Sequence, residues 1–204
     1  MRSLVSFACM LFVMALALPA AAQREAQCFD HRASSQQKIE GCSAVIAAGS
    51  ETADKRWQAY LNRAAAWSMS GDHKRAVADY GEALKLKPGD PAVLMGRCHE
   101  QAIVGDLQAA LADCTESLRL QPGVPVALGT RGLVLLKLGR FDEAIADYDA
   151  GLEVYAKSPI SLYGRGVAKR RKGDVAGGDA DIAAAKALQA NVADVLARWG
   201  VSPP

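Results

Sequence analysis

An all-α solenoid, in which antiparallel helix pairs stack side by side, is the fold predicted by three features of the 204-residue sequence. The first is a repeat. At a step of 34 residues, four segments align without an insertion: YLNRAAAWSMSGDHKRAVADYGEALKLKP from Tyr60, LMGRCHEQAIVGDLQAALADCTESLRLQP from Leu94, LGTRGLVLLKLGRFDEAIADYDAGLEVYA from Leu128 and LYGRGVAKRRKGDVAGGDADIAAAKALQA from Leu162. Arg63, Arg97, Arg131 and Arg165 form one column, Gly71, Gly105, Gly139 and Gly173 a second, and Asp79, Asp113, Asp147 and Asp181 a third. The second feature is the spacing of apolar residues, which is helical on both sides of each glycine. The third is composition: 50% of residues are hydrophobic, mostly alanine and leucine, which favours helix over strand.

The elements follow in chain order. MRSLVSFACMLFVMALALPAAAQ reads as a secretory signal peptide: Arg2 supplies the positive start, Leu4 to Leu18 the apolar core, and Ala20-Ala21-Ala22 an A-x-A site with cleavage after Ala22. A retained membrane anchor is the alternative, but the run is short for a span and polar QREAQ follows at once. Cys9 lies inside the apolar core, not after it, so it is no lipidation site. Residues 23–56 then form an N-terminal half-repeat. Four units follow over 57–190 (57–90, 91–124, 125–158 and 159–190), and 191–204 holds a capping helix near 191–199 and a tail.

Within each unit the column glycine ends one helix, and Asp72, Asp106 or Asp174 beside it can cap the next. Pro91, Pro125 and Pro159, also 34 apart, suit the first turn of a helix, where the missing N–H does no harm. Each unit is therefore two antiparallel helices stacked on its neighbours.

The pattern resembles the tetratricopeptide repeat family. Tyr60, Ala64, Trp67, Ala76, Tyr80, Ala83 and Pro88 match its motif in the first unit, and Leu128, Gly132, Leu135, Ala144 and Tyr148 in the third, where Ala156 replaces the closing proline. The fourth unit departs after its turn, with Gly178 and Ile182 in the small and aromatic columns. The resemblance implies a right-handed superhelix, and with its flanking segments the chain is similar to small exported bacterial repeat proteins.

Export would leave four cysteines, Cys28, Cys42, Cys98 and Cys114, an even number that in an oxidising compartment reads as two disulfides with three possible connectivities. The columns favour one of them. Ala64, Cys98, Gly132 and Gly166 share a first-helix column; Tyr80, Cys114, Tyr148 and Ile182 share a second-helix column. Antiparallel folding sets the two columns opposite each other, so a small residue faces a large one in three units and cysteine faces cysteine in the other. Cys42, in KIEGCSAVIAAG, also stands in the aromatic column, which leaves Cys28–Cys42 to tie down a loose lead segment. With no C-x-x-C in the chain, both bonds read as structural.

Composition and motifs exclude several chemistries. The charge is +2 and the basic run Lys169 to Lys172 is short, so no nucleic-acid partner is expected. Neither G-x-S-x-G, a phosphate loop nor H-E-x-x-H occurs, and His99 with Cys98 and Cys114 lacks a fourth ligand for zinc. No cofactor, metal or catalysed reaction is expected. Asp142 and Glu143 fit a helix N-terminus, and the Arg and Asp columns, repeated in every unit, read as ion pairs bracing helix to helix.

By the resemblance, the first helix of each unit lines a concave groove that binds an extended peptide or a partner's helix. The expected partner-binding residues are Leu61, Asn62 and Met69, then Met95 and His99, then Leu133, and finally Tyr163 and Arg170; Leu136, Lys137 and Val167 face the same way. Lysine and asparagine of the family's carboxylate clamp are not matched, since Leu61 and Ala65 stand there, although Asn62 could reach a peptide backbone. Lys169 to Lys172 would form a basic end, and Leu136 and Val167 could instead pack within the core. The expectation is a non-enzymatic adaptor, periplasmic or secreted, without a stable membrane span after cleavage. It would bind a protein or peptide; a self-associating structural envelope protein, hence a homo-oligomer, is one alternative, and an enzyme, which would need a convergent polar cluster such as a buried His–carboxylate pair on the concave face, is the other.

Overall fold

A computed structural model describes residues 20–49 and 52–201. Most of the expected signal peptide, including Arg2 and Cys9, lies outside the described residues, and the expected cleavage point after Ala22 falls in the first turn of the first helix. Among the described residues there are eleven helices and no strand: α1 Ala20–Phe29, α2 Ser35–Ala48, α3 Ala53–Met69, α4 His73–Leu86, α5 Pro91–Val104, α6 Leu107–Leu120, α7 Pro125–Lys137, α8 Phe141–Val154, α9 Pro159–Arg171, α10 Val175–Leu188 and α11 Val192–Arg198.

Local chemistry sets most boundaries. Pro91, Pro125 and Pro159 open α5, α7 and α9. The first unit has Trp57 in that column, so nothing stops the helix there, and α3 runs back to a cap at Thr52, whose hydroxyl accepts from the Lys55 N–H. Gly71, Gly105, Gly139 and Gly173 all take left-handed φ, from +75° to +96°, which explains why that column tolerates nothing else. Asp72 and Asp174 accept from backbone N–H groups of the helices they precede, but Asp106 stands at the same position without making that bond.

Successive helices pack pairwise along the whole chain, α1 with α2, α2 with α3, and so on to α10. Odd-numbered helices also meet one another (α1 with α3, α5 with α7, α7 with α9), whereas no two even-numbered helices pack comparably. The odd helices therefore lie on the tighter, concave side of the stack. The segment expected as a half-repeat with a loose lead is itself a helix pair, α1 against α2, bonded through Cys28 and Cys42.

Within each unit the arginine of the odd helix forks onto the aspartate sixteen residues later in the even helix. Nε and Nη of Arg63, Arg97, Arg131 and Arg165 donate to both carboxylate oxygens of Asp79, Asp113, Asp147 and Asp181 at 2.6–2.8 Å. Two charge-assisted bonds in a planar fork fix angle as well as distance, so one column pair sets the same interhelical geometry in all four units. The next position up holds the small–large pair: Tyr148 packs on Gly132, Ile182 on Gly166, and Cys98 is bonded to Cys114 with Cα atoms 5.5 Å apart. The Cys28–Cys42 pair is tighter, at 4.6 Å between Cα atoms, because Gly41 lets α2 approach the α1 backbone: a Cβ there would fall 2.4 Å from the Arg24 carbonyl.

Candidate functional site: the concave face

The concave face is two regions of different character, because α11 does not continue the stack. It folds back onto the odd helices. Val192, Leu196 and Val201 are buried in one cluster with Leu133, Leu136, Tyr163 and Val167, so the floor of the groove in the third and fourth units is covered by the chain's own C-terminal segment. The segment reaches as far as the second unit. Trp199 meets His99 edge-on at 5.1 Å between ring centroids, and Lys137 Nζ donates to the Trp199 carbonyl at 2.8 Å and to the Ala102 carbonyl. Burial lowers the Lys137 pKa, and what compensates the ammonium is the pair of backbone carbonyls near the C-terminal ends of α5 and α11.

Beside Trp199 the face stays open. Val126, Gly129, Thr130 and Leu133 of α7 and Ile160 and Ser161 of α9 enclose a pocket of about 240 Å³, closed at its sides by His99, Trp199 and Tyr155. Its serine and threonine hydroxyls are already bonded: the Thr130 hydroxyl donates to the Val126 carbonyl, and the Ser158 hydroxyl to that of Ser161. A site whose serine and threonine hydroxyls are bonded within the fold and whose walls are largely apolar receives an apolar group at little desolvation cost. Val126 and Tyr155, 62% and 58% exposed, extend the apolar surface from the pocket mouth.

The expected site residues are thus dispersed. His99 and Leu133 meet at the pocket. Tyr163 is 2% exposed beneath α11 and faces no partner. Asn62 is spent within the fold, its amide donating to the Cys28 carbonyl at 2.9 Å, and not on a peptide backbone. Met95 packs against Leu118, Ala127 and Leu128. Leu61 is half-buried, and Met69, 78% exposed, stands clear of the pocket. The basic end is largely neutralised: Arg170 pairs with Asp179, Lys169 with Asp181 and Lys172 with Asp142.

Behind His99 lies a cluster that the sequence reading missed. Glu100, 3% exposed, accepts from the Ser68 hydroxyl at 2.7 Å and from Nδ1 of His73 and His99 at 2.7 and 3.2 Å. Burial alone would push its carboxyl up, but the three hydrogen bonds, from His99, Ser68 and His73, outweigh it and hold the pKa below the ordinary glutamate value. One signal was present in the sequence: Glu100 shares a column with Ala66, Val134 and Ala168, all buried. The Ser68 hydroxyl bonds to the carboxylate and not to an imidazole, so the base–hydroxyl contact of a nucleophilic serine is not formed. Among the described residues no group of three or more His, Cys, Asp or Glu side chains is placed to hold a metal ion, and no helix is long and apolar enough to cross a membrane.

Stacked helix pairs with a concave face define an α-solenoid, and comparison with known proteins shows what it is similar to. Residues 130–194 match the family model described as Tetratricopeptide repeat. The solved structures that resemble the chain are of the same kind. A tetratricopeptide repeat protein from Parabacteroides merdae has a TM-score of 0.65 at 21% identity, over 81% of this chain and 67% of that one. MamA from Desulfovibrio magneticus has a TM-score of 0.70 at 15% identity, over 84% and 94%. YrrB, described as a TPR protein with an unusual peptide-binding site, has a TM-score of 0.63 at 16% identity, over 82% and 84%. No curated protein matches the sequence. The chain thus has the fold of tetratricopeptide repeat proteins, with the match to the family model itself confined to residues 130–194.

Proposed function

We propose that the protein is a non-enzymatic interaction scaffold that holds a protein or peptide partner through the pocket between α7 and α9, with a bulky apolar side chain of the partner as anchor. The single observation that carries this reading is the pocket itself: about 240 Å³, largely apolar, with its serine and threonine hydroxyls already bonded, on the inner face of a repeat stack. YrrB, of similar fold, is described as binding a peptide, which agrees with this use of the architecture. We place the protein in the bacterial periplasm or outside the cell, on the strength of the N-terminal sequence and of two disulfides that a reducing cytosol would not maintain.

The reading is tested by affinity capture from the native envelope fraction with the wild-type chain and a Val126→Arg variant. Val126 is 62% exposed, so the substitution leaves the fold intact while placing a charge at the pocket mouth. A partner captured by the wild type and lost from the variant supports the pocket; equal capture by both rejects it. The exposed Val126, Val154 and Tyr155 favour one other reading, burial of this patch against a second copy, which sedimentation at rising concentration would reveal as a growing dimer fraction. N-terminal sequencing of the exported chain should begin at Gln23.

A further inference from the structure

We infer that α11 and the residues after it are a displaceable strap: the segment 192–201 occupies in cis a groove that takes a short amphipathic helix of the partner, and the open pocket is where that partner gains its first hold. The inference rests on the reading of the concave face as the partner site.

Three observations point the same way. The covered floor is apolar: without α11, Leu133, Leu136, Tyr163 and Val167 would form one exposed patch on the inner face. The occupant shows what the floor accepts, for Val192, Leu196 and Trp199 fall at i, i+4 and i+7 and face it, while Asp194, Ala197 and Arg198 are exposed. The occupant is also the shortest helix among the described residues. Its seven residues are fewer than an isolated helix needs to persist, its first turn has no side-chain cap, and only Gln189 to Asn191 link it to α10.

Its polar attachments sit at the far end, where they can be released. Lys137 holds the Trp199 carbonyl, and the Trp199 ring rests on the edge of His99. Both Trp199 and His99 are walls of the open pocket. A partner side chain entering that pocket therefore meets the latch of the strap directly, and a helix following it can take the floor as α11 leaves. Occupancy in trans and in cis exclude each other, so the strap lowers the apparent affinity for any partner that must displace it.

Hydrogen exchange on the full-length chain tests the strap without any substitution. Backbone amides of residues 192–201 should exchange at least ~100-fold faster than those in the core of α7 and α9, at a rate insensitive to low denaturant, as local opening requires. Exchange of 192–201 as slow as α9 overturns the proposal. The second arm uses a labelled synthetic peptide of residues 189–204, QANVADVLARWGVSPP, as the probe. A full-length Leu196→Ala, Trp199→Ala variant, checked for helicity, should bind it about tenfold more tightly than the wild type. Equal affinity for both chains overturns the idea that the floor accepts a helix in trans. The pocket reading is scored separately by Val126→Arg in the capture experiment, so either can fail alone.

Discussion

The ring of Tyr148 on α8 lies across a repeat boundary against Gly164 on α9, where a Cβ would fall 2.4 Å from the ring's Cζ and hydroxyl oxygen. The same contact joins Tyr80 of α4 to Gly96 of α5, with a Cβ at 2.9 Å. The column that supplies these glycines reads Asn62, Gly96, Thr130 and Gly164, and the aromatic column before it reads Tyr80, Cys114 and Tyr148, with Cys42 in the same place on α2 but 38 residues before Tyr80, because α3 is a turn longer. Glycine appears where the preceding unit sends a tyrosine; Asn62 and Thr130 stand where it sends a cysteine. Each disulfide draws its cysteine toward its own unit and leaves room for a side chain in the next. Unit-to-unit packing is thus a volume match made one boundary at a time.

Gly164→Ala should therefore destabilise the protein by about 1–3 kcal/mol, since Tyr148 is fully buried and its ring has nowhere to move. Chemical denaturation of the variant against the wild type measures it. Gly129→Ala is the milder control, because a Cβ there meets only the Ser161 hydroxyl, at 3.2 Å.

Tyr148→Phe should do the opposite. The hydroxyl is buried and has no hydrogen-bond partner among the described residues, and burial pushes the phenol above its ordinary range. Removing an unpaired polar group from the core should stabilise by about 1 kcal/mol, read as a rise in the urea midpoint at unchanged m-value.

The two disulfides should separate in their effects. Replacing Cys98 and Cys114 together by alanine should cost about 3 kcal/mol, as expected for a closed loop of this length, and should loosen the second unit at the centre of the stack. Losing Cys28–Cys42 should free α1 and leave the later units in place, because a repeat stack transmits stability mainly between neighbours. Thermal melts with and without reductant, followed by proteolysis at the N-terminal end, distinguish the two.

Glu100 should give the stability an acid limb. Its folded pKa lies below the ordinary value of 4.5 because hydrogen bonds from His99, Ser68 and His73 outweigh burial. A carboxyl depressed in the folded state stabilises above its unfolded pKa, and that contribution is lost as pH falls through the folded value. Glu100→Gln should therefore flatten the loss of stability below about pH 4.5 and cost about 2 kcal/mol near neutrality, read from urea midpoints across pH. Asp181, held low by Arg165 and Lys169 against the upward push of burial, acts in the same direction, so the flattening is partial.

Much of the fold was legible because repetition turns one sequence into four aligned readings. A column of glycine marks a left-handed turn, a column of Arg matched sixteen residues on by Asp marks a fork between two helices, and a cysteine where its column is otherwise small must face the cysteine in the large column. These relations are local to a unit, and the 34-residue step carries them from one unit to the next. The site was less legible. Leu133 and Tyr163 do point to the inner face as their columns require, but the spacing that puts them there is the same whether solvent, a partner or the chain's own helix lies above.

By itself, then, the sequence determined the helix pairs, their order, the disulfide partners and the bracing of each unit, since each depends on residues within one repeat or its neighbour. Only the tertiary structure decided what remains of the groove. Segment 192–201 lies outside the repeat, so no column constrains its direction, and its apolar stripe fits the inner floor as well as it would fit the open end of the stack. That choice buries Tyr163 beneath α11, brings Trp199 against His99, and leaves the pocket beside Val126 as the open part of the face.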